Sequence, residues 1–337
     1  MFNRILAATD VVTTPDAPVV TASRLARQHH ARLYLLHVME SASTDNRRLI
    51  RHYETDTEMI ADAEYEQTVA RVLRQTYRDS ISGEEAAVRV TAGFPWEEIL
   101  QWAREIDADL IVLGPHSTRA QGKGVVRIAG LVGSTVENVV IRETCPVMVV
   151  NRPANAEQLR FQRVLIPVDF SRSCECAVCF AARLAACCHS QLQIFHMMPV
   201  PPVPKYNRSA YTRDKAGALK RLESLYRPYL DGIDHRIIIH AGSLPHLEIL
   251  NAARDQNSDL IVLGSHTKET GGKWYPGSAV ERVAFRAACP LVAITDPQVL
   301  IHWKGRLADT VSKEPDRRIH VFTDAGSLPS PKKGGMS

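Results

Sequence analysis

The hexapeptide Asp109-Leu110-Ile111-Val112-Leu113-Gly114 returns letter for letter as Asp259-Leu260-Ile261-Val262-Leu263-Gly264. A short apolar run opened by an acid and closed by a glycine reads as a strand buried on both faces, the kind that occurs in a parallel sheet covered by helices. Matches extend on both sides of it. Arg4-Ile5-Leu6 with Asp10 answers Arg163-Val164-Leu165 with Asp169, and Ala92-Gly93 answers Ala241-Gly242. Gly133-Ser134 answers Gly277-Ser278, and Cys145-Pro146 answers Cys289-Pro290. The offset between copies is 159 at Arg4/Arg163, 150 at Asp109/Asp259 and 144 at Gly133/Gly277. One domain has therefore been duplicated, with length changes placed in loops, where insertions are tolerated.

A chain of 337 residues suffices for two such domains with cores of their own. The formal charge of +4 comes without a long basic run, which argues against a nucleic-acid partner. No apolar run reaches the length of a membrane span, and the N-terminus lacks the apolar core of a signal peptide. A soluble cytoplasmic protein is expected, with its seven cysteines as free thiols.

Taken in order, strands are expected at residues 4–9, 32–39, 86–91, 109–113 and 146–150. Helices are expected at 18–30, over most of 47–80, from Pro95, and at 134–142. Pro95 suits a first helical turn, where its missing donor costs nothing. Alternating strands and helices predict parallel sheets with right-handed crossovers. The fold class is α/β, with two tandem five-stranded parallel-sheet, doubly wound domains at residues 1–151 and 162–296. Residues 152–161 are read as the linker, and residues 297–337 as a C-terminal extension that is partly disordered.

The order of these features resembles the universal stress protein family in its tandem form. The resemblance rests on the acid after the first strand (Asp10, Asp169) and the His37-Val38 and His196-Met197 ends of the second. The Ala-Gly entry to the next helix, the Asp-Leu-Ile-Val-Leu-Gly strand, the Gly-Ser helix start and the Cys-Pro opening of the fifth strand complete it. It implies an adenine nucleotide α-hydrolase-like fold whose domains pair through their last strands, here within one chain, with a homodimer as a further option. It also implies a stress-response role. Many members bind ATP, ADP, AMP or another adenine nucleotide; others bind none.

In open parallel sheets, ligands sit outside the carboxyl ends of the strands where strand order reverses. With a family-like order that crevice is bordered by Asp10 and Gly114 in one copy and by Asp169 and Gly264 in the other. A carboxylate there can accept hydrogen bonds from ribose hydroxyls. The main chain at Val38 or Met197 can read an adenine edge. The helix starts Gly133-Ser134 and Gly277-Ser278 offer N–H groups and a positive dipole end to phosphate, with Mg2+ as its companion. Nucleotide-binding members carry Gly, two residues, Gly, nine residues, then Gly-Ser or Gly-Thr. The second copy keeps the length but has Thr267 at the middle glycine. The first has Ser117 there and 15 residues before Gly133, within which Gly122-Lys123-Gly124 provides a basic glycine loop. Lys123 is accordingly the candidate phosphate cation, set against its reading as a solvated loop charge. Asp10 and Asp169 have a plainer alternative too, as a helix cap or turn anchor.

Two functions stay open: a tandem nucleotide-binding stress protein, and a nucleotide-free interaction protein with degenerate glycine loops. No Walker A, Gly-x-Ser-x-Gly or His-Glu-x-x-His motif is present, which leaves at most slow ATP hydrolysis. Cys176, Cys179 and Cys187 share a face of one helix and read as small apolar residues. Cys174 lies near that helix's N-terminus, where a thiolate is favoured, and is a candidate redox-sensing thiol.

Overall fold

A computed structural model describes residues 1–81, 86–115, 133–143, 145–151, 160–199, 208–265 and 279–294. The first half runs β1 (Arg4–Thr9), α1 (Ala17–His29), β2 (Arg32–Glu40), β3 (Leu49–Arg51), β4 (Glu58–Ile60), α2 (Ala63–Thr76), α3 (Arg78–Ile81), β5 (Ala87–Gly93), α4 (Pro95–Glu105), β6 (Leu110–Leu113), α5 (Ser134–Arg142) and β7 (Val147–Val149). The second runs β8 (Arg163–Pro167), α6 (Arg172–Cys188), β9 (Gln191–Pro199), α7 (Arg208–Leu230), β10 (His235–Gly242), α8 (Pro245–Asp255), β11 (Leu260–Gly264), α9 (Ala279–Arg286) and β12 (Leu291–Ile294).

Ten of these strands form one sheet in the order β10-β9-β8-β11-β12-β7-β6-β1-β2-β5, and β3 and β4 pair with each other apart from it. Within each half of this sheet every pairing is parallel. The halves meet where β7 and β12 pair antiparallel, with Met148 opposite Val292, so they join last strand to last strand. Across the join, the Phe2 ring lies 6.4 Å from that of Phe180, and Asn151 donates to the carbonyls of Ala284 and Ala287 at the end of α9.

Burial on both faces explains the unbroken apolar strands. Leu110 and Val112 enter the layer beneath α1, α2, α6 and α7, whereas Ile111 and Leu113 enter the layer beneath α4, α5, α8 and α9. All four are at most 3% exposed, and each such side chain contributes about 2 kcal/mol on burial. The acids that open these strands anchor them. Asp109 accepts from the backbone N–H groups of Asn3 and Arg4, and Asp259 from those of Gln162 and Arg163.

One expectation fails. Residues 47–61 do not begin a helix. They form the antiparallel hairpin β3–β4, with Ile50 opposite Met59. The turn between its strands places Asp56 in the left-handed region at φ 56°, and the Asp56 N–H donates to the His52 carbonyl. Helix starts only at Asp62, whose carboxylate accepts from the Tyr65 N–H at 2.7 Å. Ile50 and Met59 form the inner face of the hairpin. Ile50 and Ala61 pack with Met39, Val69 and Val12, just beyond the end of β1.

Candidate functional site

In the first half, β1 lies between β2 and β6, and chain order reverses there. Thr9 pairs with His37, which brings Asp10, the next residue, level with Val38. Ala7 pairs with Val112, so Gly114 falls level with Thr9. The sheet thus gathers Asp10, Val38 and Gly114 at its carboxyl edge. Helix α5 brings a fourth element. The Gly133 N–H donates to the Pro115 carbonyl at 2.8 Å, which fixes the start of α5 beside the end of β6. Gly133 is the N-cap, and among the described residues no side chain caps the N–H groups that open the helix at Ser134.

A histidine that the sequence reading passed over holds this edge together. His37 Nδ1 lies 2.9 Å from the Thr9 carbonyl, and His196 Nδ1 lies 2.9 Å from the Val168 carbonyl. A carbonyl only accepts, so in each half Nδ1 carries the proton and clamps the end of the first strand to the second. Burial pushes the His196 imidazole below its ordinary range, which keeps it neutral in that role. The available signal was its recurrence one residue before each expected adenine-reading position.

Asp10 is not the helix cap. Asp16 caps α1, accepting from the Val19 N–H at 3.1 Å and from Thr9 Oγ1 at 2.6 Å. The loop between them is braced from α2: Thr76 Oγ1 donates to the Val12 carbonyl at 2.6 Å. Tyr77 Oη reaches the Val11 and Thr14 carbonyls at 3.1 and 3.3 Å and lies 3.2 Å from Thr9 Oγ1. Burial raises the Asp16 carboxyl above its ordinary range, although the bonds from Thr9 and Val19 oppose that shift.

The second half repeats the frame and fills it differently. Pro167 pairs with Phe195, so Asp169 falls level with Met197. Only Phe170 and Ser171 separate Asp169 from α6. Asp169 turns back on its own chain, accepting from the Ser171 N–H at 3.0 Å and the Cys174 thiol at 3.1 Å. Phe170, at φ 68°, lays its ring 4.6 Å from that of His196, and the Arg221 guanidinium sits 4.1 Å above the Phe170 ring. The close approach expected at Gly264 is taken by protein. A Cβ there would lie 2.5 Å from the Ser173 carbonyl, so the glycine admits the first turn of α6.

Cys174 is not an activated thiol. It is buried, and loss of solvation together with the neighbouring Asp169 carboxylate pushes its pKa well above that of a free cysteine. Helix position alone favoured a thiolate; burial and Asp169 outweigh it. Cys176 and Cys179 are buried as expected, but Cys187 lies in the exposed last turn of α6. Lys123, Ser117, Thr267, Gly277 and Ser278 lie outside the described residues. Among the described residues, no group of three or more His, Cys, Asp or Glu side chains could hold a metal ion. No described helix is long and apolar enough to cross a membrane.

The family model for universal stress proteins matches residues 1–151 and again 160–295. This chain belongs to the universal stress protein family. Among solved structures, a universal stress protein from Archaeoglobus fulgidus DSM 4304 is similar at 19% identity and TM-score 0.60, over 87% of this chain and 98% of that one. A putative universal stress protein from Pseudomonas aeruginosa UCBPP-PA14 is similar at 14% identity and TM-score 0.57, over 93% and 98%. The functionally unknown protein PA1789 from Pseudomonas aeruginosa PAO1 is similar at 14% identity and TM-score 0.56, over the same shares. These likenesses establish the tandem universal stress protein fold. Among curated proteins, none matches the chain.

Proposed function

We propose that this universal stress protein is a cytoplasmic stress-response protein that binds an adenine nucleotide, ATP, ADP or AMP, in its first half. The contrast between the two crevices carries the reading. In the second half, two hydrogen bonds within the β8–α6 turn engage the Asp169 carboxylate, and Phe170 is held between His196 and Arg221. In the first half, Asp10 opens a loop, Val11–Asp16, that α2 braces from behind, next to an α5 whose first turn no side chain caps among the described residues. A ribose at Asp10, an adenine edge on the Val38 main chain and a phosphate at Gly133 and Ser134 suit that arrangement. Lys123, from the basic glycine loop, is the proposed phosphate cation, with Mg2+ as companion ion. On this reading Asp169, Met197, Gly264, Gly277 and Ser278 frame a second crevice that the protein fills itself.

The test is to denature freshly purified protein and analyse the released small molecules by mass spectrometry. Stoichiometric adenine nucleotide that is lost in Asp10→Ala and kept in Asp169→Ala supports the assignment. Loss in Asp169→Ala alone moves the site to the second half. If no nucleotide is released, and ATP with Mg2+ gives no thermal shift, the proposal fails. The nucleotide-free interaction protein then takes its place, a reading that Ser117 and Thr267 at the middle-glycine positions favour.

A further inference from the structure

The outer edge of β5 is the feature that the nucleotide reading leaves unused. This strand ends the ten-stranded sheet, and among the described residues no strand pairs with its far side. Its outward N–H and C=O groups form a row ready for another extended chain. Its seven residues, Ala87–Gly93, contain no proline, and six of them are half-buried. Proteins usually blunt such an edge with proline, a bulge or a covering loop.

A groove of about 540 Å3 runs beside this edge, between β5 and α2. Its floor is apolar, from Val88 and Val90. Its helix wall is low because Ala63 and Ala70, seven residues apart and so on one stripe of α2, place only methyl groups there. The same wall carries Arg71 and Arg74, both exposed and without an ion pair among the described residues. The remaining charges of the groove are matched within the chain: Glu66 by Arg48 at 3.0 Å and Arg89 by Glu105 at 2.5 Å. The free charge along the edge is therefore positive.

That sign selects the occupant. Twofold pairing of β5 with the β5 of a second copy, centred on Arg89 or Val90, would set Arg89 opposite itself or beside its own copy. It would also bring the two Arg71–Arg74 stripes toward each other, and like charges in such positions destabilise a strand pair. A chain of opposite sign has no such penalty. We propose that the β5 edge is a docking site for an extended acidic segment of a partner protein. The segment is added as an eleventh strand, with apolar side chains over Val88 and Val90 and carboxylates at Arg71 and Arg74.

The test uses the full-length protein and a labelled peptide of about eight residues alternating valine with glutamate, long enough to span β5. Fluorescence polarisation is expected to show binding that weakens with salt and falls by about tenfold in Arg71→Glu/Arg74→Glu. Two N-methylated versions separate strand addition from simple charge attraction. Methyl groups on alternate amides block one hydrogen-bonding edge of the peptide and leave its charge unchanged. One methylated register should abolish binding and the other should preserve it. Equal binding of both registers, equal binding of a valine–lysine peptide, or no binding overturns the proposal. A concentration-dependent dimer in sedimentation that the arginine substitutions strengthen overturns it in favour of a second copy. None of these readouts depends on nucleotide, so the proposal can fail without disturbing the assignment at Asp10.

Discussion

Gly264→Ala tests whether the repeated glycine is a packing residue in the second half. The added Cβ would lie 2.5 Å from both the carbonyl carbon and oxygen of Ser173, and 2.7 Å from the Cys174 nitrogen. Comfortable contacts between heavy atoms lie near 3.5–4.0 Å, so α6 and the end of β11 must separate by about 1 Å. Every atom in the way is backbone, so no side chain can swing aside. Overpacking of this kind costs about 3 kcal/mol, at the upper end of its usual range. The smaller entropy of the unfolded chain returns about 0.5 kcal/mol, which leaves a destabilisation of about 2–3 kcal/mol. Two companions calibrate the figure. Gly217 lies within α7 with nothing within 4 Å of its would-be Cβ, so Gly217→Ala should stabilise by about 0.5–1 kcal/mol. At Gly242 the three atoms nearest the Cβ all belong to the flexible Glu248 side chain, and Gly242→Ala should cost less than about 1 kcal/mol. Urea midpoints at unchanged slope give all three numbers. If Gly264→Ala falls within about 0.5 kcal/mol of the parent, or Gly217→Ala costs as much, the packing argument is refuted.

Other outcomes follow from the same contacts. Tyr77→Phe removes a hydroxyl that meets Thr9, Val11 and Thr14 and should cost about 1–3 kcal/mol in urea unfolding. Tyr226→Phe removes a buried hydroxyl with no partner among the described residues and should be neutral or stabilising by the same assay. His29, held down to about 4 mainly by burial, resists protonation in the folded state. The unfolded chain therefore binds the extra proton between its ordinary value near 6.5 and that depressed value, so stability falls as pH drops through this window. The urea midpoint of the parent should accordingly decline from pH 7 to 5 more steeply than that of His29→Gln, and equal slopes would remove His29 as a cause. Iodoacetamide on the native protein should label exposed Cys187 well before buried Cys174, Cys176 and Cys179, as followed by peptide mass spectrometry. Early labelling of Cys174 would contradict its burial.

The strands were legible because their signal is local and redundant. Leu110–Leu113 and Leu260–Leu263 are apolar on both faces, and only a covered parallel sheet keeps such a run dry. The helices at Pro95 and Ser134 were likewise written in their first residues. Residues 47–61 misled because the true helical period that follows them was extended backwards, and the deciding contacts, Ile50 and Ala61 against Val12 and Met39, join distant segments. At the candidate site, sequence order and register place Asp10, Val38 and Gly114 together. The clamps from His37 and His196, the brace from Tyr77 and the Phe170–Arg221 stack were not legible. Each depends on a side chain reaching across 28 or more residues, with no short motif to announce it.

A single position helps to explain how two copies of one frame came to differ. Thr9 and Val168 occupy the same place, the residue whose carbonyl the histidine clamps. Thr9 adds a hydroxyl that donates to Asp16 and meets Tyr77, so the polar groups of the long β1–α1 loop find partners and the loop can stand away from the sheet. Val168 adds no such group. The tyrosine packed behind that turn, Tyr226, has a buried hydroxyl with no partner among the described residues, and the turn contracts to Phe170 and Ser171. With no loop to spare, Asp169 Oδ1 accepts from the Ser171 N–H and the Cys174 thiol. A ligand approaching Asp169 meets an Oδ1 already engaged by the turn and an aromatic ring seated under an arginine.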